Sequence, residues 1–145
     1  MFLIDTNCWM QLARQRPHFA EVRQMLKEIP PNQLLVTDFT VHGIGVLFRR
    51  FDMIEGFTDF LKRASIGNLI AIVQVPLPNL EQVQQVCVEH GVDFDDAYQY
   101  VAAELFGARI VSFDDDYDRT PIGRLTPAQA LQRFTDEQTD QSKDA

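Results

Sequence analysis

Phe2-Leu3-Ile4-Asp5-Thr6-Asn7 stands at the start of the chain. Three apolar residues that give way abruptly to small polar ones describe a buried strand feeding a turn and then a helix. Asp5 then sits at the carboxyl end of the first strand, the edge of an open α/β sheet where ligands collect. Asp and Thr are also favoured helix caps, so capping explains this stretch as well as chemistry does. The decision rests on whether other carboxylates return to the same edge.

Downstream, the pattern alternates between strand and helix. Asn7 to about Arg16 reads as a helix broken by Pro17, and Phe19, Val22, Met25, Leu26 and Ile29 fall at helical spacing in the next one. Pro30-Pro31-Asn32 ends it, and Gln33–Thr37 reads as a second strand. Thr37 or Asp38 caps a helix to about Phe51, followed by another from Met53 to Ile66. Leu69–Val73 is the third strand, Asn79–His90 a helix closed by Gly91, and Ala97–Phe106 a helix closed by Gly107. Arg109–Phe113 is the fourth strand, Ile122–Leu125 a short fifth, and Thr126-Pro127 opens a last helix with a cap followed by proline. Crossovers too long for hairpins require a mostly parallel sheet covered on both faces, a three-layer α/β/α domain.

With every strand's carboxyl end at one edge, Asp5, Asp38 and Asp114 follow the first, second and fourth strands. Asp96 opens a helix, where the backbone dipole favours negative charge. Asp116 points the same way as Asp114 if the backbone there is extended. Taken singly, each acid is best explained as a cap or a turn residue. Taken together, acids at three junctions on one edge favour chemistry. Two carboxylates ~4 Å apart repel by about 4 kcal/mol at an effective dielectric near 20, so such a group takes up protons or gathers a cation. Hard oxygen ligands suit Mg²⁺ or Mn²⁺, and an acidic site of that kind beside a phosphodiester points to metal-assisted hydrolysis.

Along nearly its whole length the chain resembles a PIN domain, the fold of VapC-type toxin ribonucleases. The resemblance is carried by Leu3-Ile4-Asp5-Thr6-Asn7, by Asp96-Ala97 opening a helix that contains Ala102-Ala103-Glu104-Leu105-Phe106-Gly107, by Ile110-Val111-Ser112-Phe113-Asp114-Asp115-Asp116-Tyr117, and by Leu125-Thr126-Pro127. It implies a Mg²⁺- or Mn²⁺-dependent endoribonuclease in which Asp5, Asp96 and Asp114 are catalytic metal ligands and Asp116 a supporting acid at the metal. It further implies that Thr6 orients Asp5 or a water, and that a protein antitoxin inserts into the cleft of a homodimer. One departure stands out. The family's Ser/Thr-x-x-Thr-x-x-Glu pattern appears as Thr37-Asp38-Phe39-Thr40-Val41-His42-Gly43, with Gly43 where the Glu belongs. Asp38 is then the nearest substitute acid. The alternative is a catalytically degenerate PIN fold kept as a binding or regulatory protein. A phosphohydrolase with Asp5 as nucleophile is disfavoured, since Asp5-Thr6-Asn7 lacks the Asp-x-Asp such enzymes commonly carry.

Composition sets the outer bounds. A chain of 145 residues, 46% hydrophobic and 23% charged, suits one soluble domain with a real core. No apolar stretch approaches a membrane span, and Met1-Phe2-Leu3-Ile4 lacks the basic start of a signal peptide, so a cytoplasmic location is expected. Cys8 and Cys87, without C-x-x-C spacing, read as small core residues. Of the net charge of −8, residues 1–67 contribute an excess of one positive charge and residues 68–145 an excess of nine negative ones. A nucleic-acid partner must therefore be met locally, through a basic patch or through bound cations. Arg49 and Arg50, between Phe48 and Phe51, are candidate RNA contacts, although neutralisation of a helix C-terminus explains them equally well. His18, His42 and His90 lack partners that would mark them as catalytic. The domain is expected to span 1–134, followed by an acidic, disordered tail over 135–145.

Overall fold

The computed structural model describes residues 1–145. In chain order the elements are β1 (Phe2–Ile4), α1 (Thr6–Ala13), α2 (Phe19–Glu28), β2 (Leu34–Thr37), α3 (Asp38–Arg50), α4 (Phe57–Arg63), β3 (Ala71–Val73), α5 (Leu80–His90), α6 (Phe94–Leu105), β4 (Arg109–Val111) and α7 (Pro127–Lys143). The four strands form one parallel sheet in the order β3-β2-β1-β4. The α/β/α expectation holds.

The strand pleat sorts the core into two halves. Phe2, Ile4, Leu34, Val36 and Val111 point to one face and pack with Trp9, Val22, Met25, Ile44 and Phe48. Leu3, Leu35 and Ile110 point to the other and pack with Val83, Val86, Ala97, Val101 and Tyr117. Alternate residues of a strand face opposite sides, so three-residue strands suffice to build a sheet buried on both faces. β1 lies between β2 and β4 and is completely enclosed, which puts Asp5 at the centre of the carboxyl edge.

Local signals act as the sequence suggests at several ends. Thr37 caps α3, its Oγ1 accepting from the Thr40 N–H at 3.0 Å. Gly91 ends α5 at φ 62°, a left-handed conformation that a Cβ would disfavour. Thr126 and Gln129 form a reciprocal capping box with Pro127 at the first helical position of α7.

Four expectations are corrected. The acidic segment from Thr135 is not disordered but continues α7 to Lys143. Ala130, Leu131 and Phe134 dock the first turns on the core, and elongating an existing helix is far easier than nucleating one. Exposed i,i+4 pairs, Gln132 with Asp136 at 2.8 Å and Arg133 with Glu137 at 3.2 Å, extend along it. The Met53–Ile66 helix is shorter: a 3₁₀ turn over Ile54–Gly56 precedes α4. Ile122–Leu125 is no strand, contributing one bridge between Leu125 and Val111. After Asp114 the backbone is not extended but winds into a 3₁₀ helix over Asp115–Arg119.

Candidate metal centre and its cleft

Asp96, Asp114 and Asp116 each offer a carboxylate oxygen within 4.8 Å of the others. Asp96 lies in the first turn of α6, whose N-cap is Asp93. Asp114 follows β4 and caps the 3₁₀ helix, its Oδ1 accepting from the Asp116 N–H at 2.9 Å. That tight turn, rather than an extended strand, brings the third acid to the group. Arg119 approaches Asp116 at 3.5 Å and offsets part of its charge. Burial, followed by the charges of Asp114 and Asp5, pushes Asp96 up to about 7.

Asp5 is nearby but held differently. It is 8% exposed, and its two oxygens meet four donors. Oδ1 accepts from the Thr6 N–H at 2.8 Å and from Gln99 Nε2 at 3.1 Å. Oδ2 accepts from Ser112 Oγ at 2.8 Å and from Asn7 Nδ2 at 3.4 Å. A carboxylate has about four lone-pair sites, so this shell uses them all. Burial still raises the Asp5 pKa, against the lowering effect of those hydrogen bonds. Asp5 therefore ties β1 to α6 and β4, the two elements that carry the acidic group.

Gln99, one turn after Asp96, links this shell to the second strand. Its Oε1 accepts from Thr37 Oγ1 at 2.6 Å, and its Nε2 donates to Thr40 Oγ1 at 2.8 Å as well as to Asp5. Thr6 Oγ1 donates to Thr40 Oγ1 at 3.2 Å. Gly43 faces Thr6: a Cβ there would lie 3.5 Å from the Thr6 side chain, an ordinary contact. Where the resemblance implies a Glu, a neutral network of three threonines and one glutamine underlies Asp5.

Tyr117 is the other unanticipated member. It is completely buried, and its hydroxyl has no hydrogen bond of good geometry although it faces Asp5 and Asp96. Burial and those two charges drive its pKa upward, so it remains a protonated phenol beside the acids.

A cleft of about 1070 Å³ runs from Asp5 and Asp96 along α1, α3 and the start of α6. Asp38 lines it, but its Oδ1 accepts from the Tyr98 hydroxyl at 2.8 Å and from the Phe39 N–H at 2.9 Å, outside the acidic group. Arg14 and Arg16 also line the cleft, and both are exposed. Arg49 lies instead on an adjoining groove of about 650 Å³, and Arg50 lines neither. The sequence offered a weak signal for the first pair, two arginines at the end of the helix that follows Asp5. For Gln99 and Tyr117 it offered only their neighbourhood to Asp96 and Asp116.

No helix is long and apolar enough to cross a membrane. None of the curated proteins matches the sequence. Among solved structures the fold is similar to a toxin-antitoxin complex from Klebsiella pneumoniae at TM-score 0.69, with 21% identity over 88% of this chain and 98% of that one. It is also similar to Mycobacterium tuberculosis VapC20, a toxin that cleaves the sarcin-ricin loop, at TM-score 0.73, with 16% identity over 86% and 98%. FitAcB from Neisseria gonorrhoeae gives TM-score 0.64 and 16% identity over 88% and 98%. Residues 2–123 match the family model for the PIN domain.

Proposed function

The chain belongs to the PIN domain family, and from that premise we propose that it is a Mg²⁺- or Mn²⁺-dependent endoribonuclease, the toxin of a VapBC-type toxin–antitoxin pair. The observation that carries this reading is the convergence of Asp96, Asp114 and Asp116 at the end of a cleft lined by arginines. Three hard oxygen donors, with no His or Cys among them, suit a divalent cation of that class. The buried Tyr117 hydroxyl, unpartnered beside them, adds a polar group turned towards the same place. When bound, the cation supplies Lewis acidity towards a phosphodiester and lowers the pKa of an attacking water.

The chain's own residues have separable tasks. Asp96, Asp114 and Asp116 hold the cation, with Asp96 and Asp114 the catalytic pair. Asp5 and its four donors fix the spacing of α6 and β4, and Thr6 orients Asp5 through its backbone N–H. On this reading Asp5 joins the metal only by exchanging one of those donors. Asp38, bound to Tyr98, supports the cleft wall. Arg14 and Arg16 take RNA phosphates within the cleft, and Arg49 and Arg50 extend that contact along α3. A protein antitoxin would compete for the same cleft, and a homodimer is the expected assembly; the Klebsiella pneumoniae toxin-antitoxin complex supports the first of these.

The test is RNA cleavage by the purified protein with Mg²⁺, Mn²⁺ or chelator, alongside Asp96→Asn and Asp5→Asn. Cleavage by the parent with metal, lost in Asp96→Asn, is expected. Metal-independent cleavage, or cleavage indifferent to Asp96, overturns the proposal. A second reading, a PIN-fold binding module without catalysis, is favoured by Gly43 alone. It predicts neither cleavage nor carboxylate-dependent Mn²⁺ binding.

A further inference from the structure

Beside the acids the cleft carries two large aromatic rings that the core does not account for. Phe39 and Phe94 both line it, and they are 37% and 48% exposed. They are not loose. Phe39 lies flat on Tyr98, with centroids 3.9 Å and planes 7° apart. Tyr98 is buried, its hydroxyl accepting from the Val75 N–H at 2.9 Å and donating to Asp38 at 2.8 Å. Phe94 leans on Phe39 at 5.8 Å and 44°. Tyr98 thus forms the fixed base of a short aromatic stack, with Phe39 upon it and Phe94 at its flank.

Phe94 precedes Asp96 by two residues in the first turn of α6, so the stack stands next to the acidic group. The same cleft presents the exposed Arg14 and Arg16, neither of which has a carboxylate partner. Preset aromatic faces, two exposed arginines (Arg14 resting on the Phe51 ring at 3.6 Å) and a carboxylate cluster in one cleft complement a particular ligand: a nucleic-acid strand with an unstacked base and flanking phosphates. A duplex keeps its bases stacked on one another and has no face to offer. An apolar peptide would cover the rings but leave both arginines unanswered.

We infer that Phe39 and Phe94 form a stacking subsite that holds an unpaired nucleobase beside the scissile phosphate. The inference rests on the ribonuclease reading above.

The test compares the full chain with Phe39→Leu, Phe94→Leu and Phe94→Tyr, after thermal melts establish that each is folded. A short single-stranded RNA containing 2-aminopurine, and the same strand in a duplex, serve as probes in Mn²⁺. The Leu variants are expected to lose about 5- to 150-fold in kcat/KM on the single strand, chiefly through KM, while Phe94→Tyr stays within about threefold of the parent. The parent should quench 2-aminopurine fluorescence by stacking, Phe94→Leu should not, and the duplex should be a poor substrate. Cleavage by the Leu variants equal to the parent's, still dependent on Mn²⁺, refutes the subsite alone and makes the rings a protein-docking feature. Equal cleavage of duplex and single strand refutes it as well. If the parent cleaves nothing, the ribonuclease reading fails and the fluorescence decides the subsite: quenching lost in Phe94→Leu upholds it, and no quenching overturns it.

Discussion

Replacing Asp96 with Asn should stabilise the metal-free protein and abolish its response to metal. Asp96, Asp114 and Asp116 place carboxylate oxygens within 4.8 Å of one another. One fully ionised pair at that distance repels by about 3.5 kcal/mol at an effective dielectric near 20. Asp114 and Asp116 are half-buried and Arg119 neutralises part of Asp116, so solvent and counter-charge remove most of this. A net gain of about 1 kcal/mol remains, which raises Tm by about 3 °C in a domain of this size. The assay is thermal unfolding at pH 8, above the Asp96 value of about 7, where that group is mostly ionised. In chelator the variant should melt above the parent. With Mn²⁺ at one hundred times its Kd, the parent gains about 2.7 kcal/mol and overtakes the variant. A variant that melts below the parent in chelator, or gains as much from Mn²⁺, would refute the reasoning.

Three further outcomes follow from the same geometry. Because folding raises the Asp96 pKa from 3.8 to about 7, the folded state binds more protons than the unfolded one between those values. Stability from this group is complete below the unfolded pKa and is lost as pH rises through 7. Urea midpoints of the metal-free parent should therefore fall between pH 5.5 and 8 more steeply than those of Asp96→Asn, and parallel curves would count against the assignment. Gln99→Leu removes one buried hydrogen bond each from Thr37, Thr40 and Asp5 Oδ1 and should cost about 1–3 kcal/mol; a urea midpoint unchanged from the parent would dismiss the network as incidental. Gly43→Glu should fold, since its Cβ meets Thr6 at an ordinary 3.5 Å, and should tighten Mn²⁺ binding in calorimetry by restoring an acid to the cleft. Weaker binding would mean that position 43 does not face the cation.

How much of this could be read beforehand varies with the distance over which each residue acts. β1 and the acids after it were legible because an apolar run meeting Asp5 is a local signal, and parallel crossovers force strand ends to one edge. Asp96 and Asp114 followed from that edge. Asp116 was named for a geometry the chain does not adopt: a 3₁₀ turn, not an extended strand, brings it in. Gln99 was illegible because its partners Thr37, Thr40 and Asp5 are all more than fifty positions away in sequence. Phe39 and Phe94 carry no local signal that sets them apart from the other phenylalanines, and only the packing of α3 against α6 leaves them exposed in the cleft. The acidic tail was misjudged because composition reports what a segment can bury, whereas a docked helix is extended by its neighbours.

The central claim, hydrolysis of RNA by water at a metal held by Asp96, Asp114 and Asp116, is tested most directly by mass spectrometry of products formed in ¹⁸O-labelled water with Mn²⁺. The account predicts early products whose terminal phosphates carry one ¹⁸O, formed by the parent and absent with chelator or with Asp96→Asn. Early products ending in unlabelled 2′,3′-cyclic phosphate would show that the RNA's own 2′-hydroxyl attacks, and cleavage that survives chelator or Asp96→Asn would show that the acidic group is not the catalyst.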